Sequence, residues 1–178
     1  MTLSDSAILE AINDGIIEIK PFNVKSLGSN SYDVHLSKYI ATYESSILDA
    51  KKHNRINHFE ILEEGYVLNP NRIYLASIQE YTYSKTTVPV IHGKSSIGRL
   101  GIDIHATAGF GDVGFRGYFT LELSVKQPVR IYSGMPIGQI EWREVVGVVN
   151  NPYDKKNDAK YSNQGIKPVE SKMYKNFL

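Results

Sequence analysis

A chain of 178 residues with 20 Lys and Arg against 19 Asp and Glu has a formal charge of +1. That length suffices for one domain with a real core, but the charge excludes a nucleic-acid coat and a basic membrane-surface protein. Zero cysteines exclude disulfides and cysteine-held zinc. No apolar run is long enough to span a bilayer, and Asp5, Glu10 and Asp14 interrupt any leader, so the expected address is the cytoplasm.

In chain order, Ser4-Asp5-Ser6 before Ala7, Ile8, Leu9, Ala11 and Ile12 predicts a short N-capped helix, stopped at Asn13-Asp14-Gly15. It is the one helix the pattern supports. Ile16 to Ile19 reads as a strand, and Ser31 to Leu36 alternates as a second, in which Asp33 caps a turn or pairs in the core. Residues 43–64 are charged, with Lys51-Lys52-His53-Asn54-Arg55 in one run, and read as a solvated surface insertion. Gly65 to Asn71 is a strand and turn, Arg72 to Tyr83 a strand, and Val88 to Ile91 another, broken by Pro89.

Beyond the centre, Pro128 to Tyr132 is a strand, and Ser133-Gly134-Met135-Pro136 turns into Ile137 to Trp142, where Gln139 shares a face with Ile137 and Glu141. From Asn150 the composition is polar and lysine-rich, which predicts a mobile arm. Short strands at steady intervals predict a mainly β barrel or sandwich forming a single domain over 1–178.

The stretch from Gly93 to Glu122 concentrates the special residues. In Tyr118-Phe119-Thr120-Leu121-Glu122-Leu123-Ser124-Val125 the apolar side chains alternate with polar ones, so Glu122 lies on the polar face. Gly109, Gly111, Gly114 and Gly117 surround Asp112 in a loop that backbone can bring close to a ligand. Lys94-Ser95-Ser96-Ile97-Gly98-Arg99 offers hydroxyls, cations and backbone N–H groups suited to phosphate oxygens, or equally a polar loop entering a short helix capped by Ser95 or Ser96. It is no Walker A loop, because the lysine precedes the serines. The five histidines, His35, His53, His58, His92 and His105, lack the spacing of a metal-binding helix pair and read as surface or core residues.

These motifs resemble the dCTP deaminase family, relatives of the trimeric dUTPases. The resemblance rests on Lys94 to Gly101, His105-Ala106-Thr107-Ala108-Gly109-Phe110, Asp112-Val113-Gly114-Phe115, Thr120-Leu121-Glu122, Gly134-Met135, Ile137-Gly138-Gln139, Pro152-Tyr153, Lys160-Tyr161 and Gln164-Gly165. It implies a distorted, jelly-roll-like dUTPase-type β-barrel with one short N-terminal helix, assembled as a homotrimer with shared active sites between subunits. Glu122 would be the proton shuttle, with Ser95 and Arg99 reaching in from a neighbouring subunit and the Ala108 carbonyl holding the water. Asp112 would take the 3'-hydroxyl and Phe115 pack on the sugar. Lys94, Ser96, Gln139, Tyr153, Lys160, Tyr161 and Gln164 would complete the nucleotide site, with residues 150–178 closing over the triphosphate.

The implied substrates are dCTP and dUTP, with dTTP as a feedback ligand, Mg2+ carried by the triphosphate and no zinc, since without cysteine ligands deamination at C4 needs a carboxylate to move protons. Lys94 and Ala108-Gly109-Phe110 resemble the bifunctional type that gives dUMP and diphosphate. Gly111 departs from the pattern, where a large aliphatic residue is usual, and is expected to leave room and flexibility beside Asp112. A dUTPase that does not deaminate and a non-catalytic nucleotide-binding regulator are the alternatives.

Overall fold

The computed structural model describes residues 1–178. The first helix, α1 (Asp5–Asn13), forms as its sequence dictates: Ser4 Oγ accepts from the Ala7 amide at 3.3 Å, Ile8 and Ala11 are buried, and Gly15 leaves the helix at φ +67°.

Three sheets follow. β1 (Ile17–Lys20), β6 (Tyr81–Ser84) and β9 (Arg116–Gly117) make a small sheet in the order β1-β6-β9. The large sheet has the order β7-β12-β2-β5-β10-β8 and uses β7 (Val88–Gly93), β12 (Pro136–Arg143), β2 (Tyr32–Tyr43), β5 (Tyr74–Ile78), β10 (Thr120–Val125) and β8 (Ile102–Asp103), with β3 (Ile56–Glu60) added on β2. β4 (Tyr66–Leu68) pairs with β11 (Val129–Ile131). The sheets wrap a single core of aliphatic residues around Tyr32, Tyr74 and Trp142, a nearly closed mainly β barrel.

Four expectations change. A second helix, α2 (Ser95–Arg99), joins the N-terminal one, and neither serine caps it, because Lys94 occupies the N-cap position without a side-chain bond. The run Arg72 to Tyr83 is two strands in different sheets; the corner between them is held by buried Glu80, which accepts from the His35 amide at 3.0 Å and pairs with His35 Nδ1 at 2.7 Å. Within 43–64 the chain forms β3, antiparallel to β2 from Tyr39↔Glu60 to Tyr43↔Ile56, so the charged run is the tip of a hairpin. Finally, a register shift between Pro136 and Gly138 turns Ile137 into the core with Ile140 and Trp142, leaving Gln139 to share its face with Glu141 alone.

The polar tail is not held loosely. Tyr153 N donates to Val113 O at 2.7 Å, Arg116 pairs with Asp154 at 2.7 Å, and Gln164 is buried. Composition misses this because the tail's partners lie far along the chain and are in part backbone groups, which no local side-chain pattern announces.

The opposite end of the chain is tied down by Glu141. Thr2 Oγ1 donates to its carboxylate at 3.0 Å and His92 Nε2 lies 3.1 Å away, with Arg143 on the same oxygen. Burial pushes this carboxyl up, but the bonds from Arg143, His92 and Thr2 outweigh it and hold it below the usual range. A lowered folded-state value stabilises fully above the unfolded-state value and is lost as pH falls through the folded one. The melting temperature is therefore expected to drop in acid, and Glu141→Gln to flatten that drop, in thermal unfolding scans from about pH 7 to about pH 3. No helix is long and apolar enough to cross a membrane.

Candidate active site

β10 is the strand on which the site is built. Leu121, Leu123 and Val125 are buried, while Thr120, Glu122 and Ser124 stand half-buried on the other face, as the alternation requires. Glu122 is fixed at both ends: its amide donates to Ile104 O at 3.0 Å, and its Oε2 accepts from the Ala106 amide at 3.1 Å. A charge-assisted bond of that kind orients the carboxylate and leaves its other oxygen free for a ligand. It opens into a hollow of about 480 Å³ shared with Asn71, Arg72, Ala106, Ser124 and Lys126.

Arg72 is a cation that the sequence reading missed. It lies there because β5 runs antiparallel to β10, with Glu122 opposite Leu75, so the turn before β5 meets the end of β10. The bend at Pro70-Asn71, with Asn71 at φ +62°, was the available signal. Lys126 is already paired with Asp103 at 2.8 Å, and holds that carboxyl below its usual range. A larger cleft, about 670 Å³, lies elsewhere, between α1 and residues 144–149. Chemistry favours the smaller hollow, which alone contains the fixed carboxylate.

Around β10 the structure gathers a second set of residues. Asp112 is exposed on the glycine loop, the Phe115 ring lies tilted 4.6 Å from Phe119 and 6.2 Å from Tyr153, and Tyr153 accepts from the Tyr161 amide at 2.9 Å. Burial pushes the Tyr153 phenol up, with the Asp112 carboxylate adding to it. Gln164 donates to Tyr118 O at 2.7 Å and to the Thr120 hydroxyl, so the arm is seated on the strand that carries Glu122. Lys160 bonds Asn176 within the arm. Gly117, at φ +132°, is required for that seat, since a Cβ there would come within 2.6 Å of Gln164 O.

A third set is not brought to Glu122 within one chain. Lys94 pairs with Asp33, which stands opposite Gln139, itself opposite His92 across β12. Gln139 is separated from β10 by β2 and β5. Ser95, Ser96 and Arg99 are exposed on α2, and Arg99 donates only to Ser95 O at 3.0 Å. Ala108, by contrast, is exposed two residues beyond Ala106, whose amide bonds Glu122.

Gly111 corrects an expectation. A Cβ there would lie 2.9 Å from Pro89 Cγ and 3.1 Å from Pro89 O, and its amide donates to Pro89 O at 2.8 Å. The space beside Asp112 is filled by Pro89, and the loop is pinned rather than loose. Gly111→Leu is accordingly expected to destabilise the fold by about 1–3 kcal/mol through overpacking, measurable by denaturant unfolding.

The nearly closed barrel and the strand that orients Glu122 define a mainly β protein with one fixed carboxylate in a hollow, and the comparisons narrow its class. Residues 2–145 match the family described as dCTP deaminase-like, and the chain belongs to that family. It is 45% identical to a protein of Clostridium acetobutylicum named dCTP deaminase, dUMP-forming, over 100% of this chain and 99% of the relative. A Leptospira biflexa protein of the same name is 42% identical over 99% of this chain and 98% of its own. Among solved structures, the 2'-deoxycytidine 5'-triphosphate deaminase of Agrobacterium tumefaciens superposes with a TM-score of 0.64 at 20% identity, covering 84% of this chain and 50% of that one, a likeness of fold.

Proposed function

We propose that this protein hydrolyses dCTP to dUMP, ammonia and diphosphate. The carrying observation is Glu122, oriented by the Ala106 amide on the strand that also seats the C-terminal arm. The full-length likeness to relatives named dUMP-forming supports the product.

Water attacks C4 of the cytosine, and Glu122 takes its proton and passes it to N3. The tetrahedral centre then collapses with departure of ammonia, the second proton going to the amine, which leaves the uracil carbonyl. A second water displaces diphosphate from the α-phosphorus to give dUMP. Ser95 and Arg99 of a neighbouring subunit and the Ala108 carbonyl hold the first water and the base, a role that the exposure of Ser95 and Arg99 on α2 leaves open to a second chain. The assembly is then a homotrimer with sites between subunits.

Asp112 takes the sugar hydroxyl, Phe115 covers the ring, and Lys94, Ser96, Gln139, Tyr153, Lys160, Tyr161 and Gln164 serve the remainder of the nucleotide. Mg2+ enters with the triphosphate: no three His, Cys, Asp or Glu side chains converge to hold a metal, while phosphate oxygens suit that ion. Deamination is proposed to proceed without zinc, because the chain has no cysteine to build the usual thiolate-held site. dTTP, sharing sugar and triphosphate, is expected to compete at this site.

Incubation with dCTP and Mg2+, with nucleotides resolved by anion exchange over time, tests the reading. dUMP appearing without a lag and without accumulated dUTP supports it. Accumulation of dUTP limits the enzyme to deamination, and intact dCTP with consumption of added dUTP replaces it by a dUTPase.

A further inference from the structure

The hairpin tip and β3, residues 43–60, lie along the C-terminal arm. Tyr43 Oη accepts from the Ser171 amide at 3.1 Å, His58 Nε2 donates to Pro168 O at 2.8 Å, and His53 Nε2 lies 2.9 Å from Glu170 Oε1. The His53 ring meets Tyr174 edge to face at 5.5 Å, and Lys51 Nζ stands 5.5 Å from the Phe177 ring. Two of these bonds grip backbone atoms, so they fix the arm's register whatever its side chains are.

On its other side the same stretch is bonded to the sheet. The Val169 amide donates to Thr120 Oγ1 at 3.2 Å, and Ser77 Oγ donates to Ile166 O. Thr120 stands two residues before Glu122 on the same face of β10. The arm from Ile166 to Ser171 is thereby held between the reactive strand and the hairpin.

We propose that Tyr43, His53 and His58 form a clamp that sets the C-terminal arm in register over β10, so that these three positioning residues govern how tightly the nucleotide is closed in. The proposal rests on the reading of the arm as the element that covers the triphosphate. It gives the hairpin a task that a merely solvated insertion would not have. The hydrogen bonds of His53 and His58 go to Glu170 and Pro168 of the arm and none goes to Glu122, Asp112 or the phosphate-side lysines, so turnover of a bound, closed nucleotide is expected not to depend on these two histidines.

The test uses the full chain with His53→Ala and His58→Phe combined, beside His58→Gln, whose amide can still donate to a carbonyl. Hydrogen exchange of the 164–177 amides reads the clamp directly, and steady-state kinetics with dCTP reads its consequence. The double variant is expected to exchange about tenfold faster in the arm, matching two lost hydrogen bonds. KM should rise by about the same factor with kcat within about twofold, and His58→Gln should recover most of the single loss. Unchanged arm exchange overturns the clamp. Faster exchange with an unchanged KM overturns its positioning role. A wild-type protein inert toward dCTP refutes dCTP hydrolysis by this chain, while the exchange measurement still decides whether the clamp exists.

Discussion

Glu122→Gln is expected to bind dCTP as the wild type does and to release almost no ammonia. Glutamine keeps the shape of the side chain and an oxygen to accept the Ala106 amide, the contact that orients residue 122. It cannot take a proton from water and return it to N3. Loss of a positioned acid and base costs on the order of 10²–10⁴-fold in rate, so kcat falls by that factor with KM little changed. Ammonia release and equilibrium binding of dCTP, measured on the same preparation, separate the two effects. Turnover within a factor of ten of wild type would remove Glu122 from the mechanism. A fall in binding as large as the fall in rate would make it a ligand-holding residue only.

The second large effect concerns the neighbouring subunit. Arg99→Ala alone is expected to cost about 10²–10³-fold in kcat, the scale for removing one preorganised charge or donor from a site. Mixing subunits of Arg99→Ala with subunits of Glu122→Gln should bring activity back. In a closed ring each site takes Glu122 from one chain and Arg99 from the next, so random assembly at equal amounts restores about one quarter of the sites. If both residues served one site within one chain, no mixture of the two variants would regain activity. Co-expression with two affinity tags, followed by the ammonia assay on the doubly tagged fraction, makes the measurement. Because that fraction holds only mixed trimers, each with one intact site in about three, recovery near a third of wild type establishes shared sites, and recovery at the level of either single variant refutes them.

The features legible in the sequence are those set by neighbours along the chain. Ser4 reads as a helix cap because its oxygen reaches an amide three residues on, and it does so here. Glu122 reads as standing on a polar face because a strand sends alternate side chains to opposite sides, and β10 buries Leu121, Leu123 and Val125 beneath it. The same rule misplaced Ile137, since one extra residue between Pro136 and Gly138 shifts the pleat and sends it into the core. Composition described the tail as free, whereas its Gln164 is buried against the Tyr118 carbonyl and the Thr120 hydroxyl.

By itself, then, the sequence determined the class of fold, the carboxylate strand, the glycine loop around Asp112 and the family, since each lies in a continuous run whose residues act on one another locally. Tertiary structure alone decided that Arg72 stands in the hollow of Glu122, that Pro89 fills the space beside Gly111, and that Tyr43, His53 and His58 hold the arm. Those contacts join segments distant along the chain. Their partners are chosen by strand pairing and by backbone hydrogen bonds, whose donors and acceptors are the same at nearly every residue and leave no mark in the sequence.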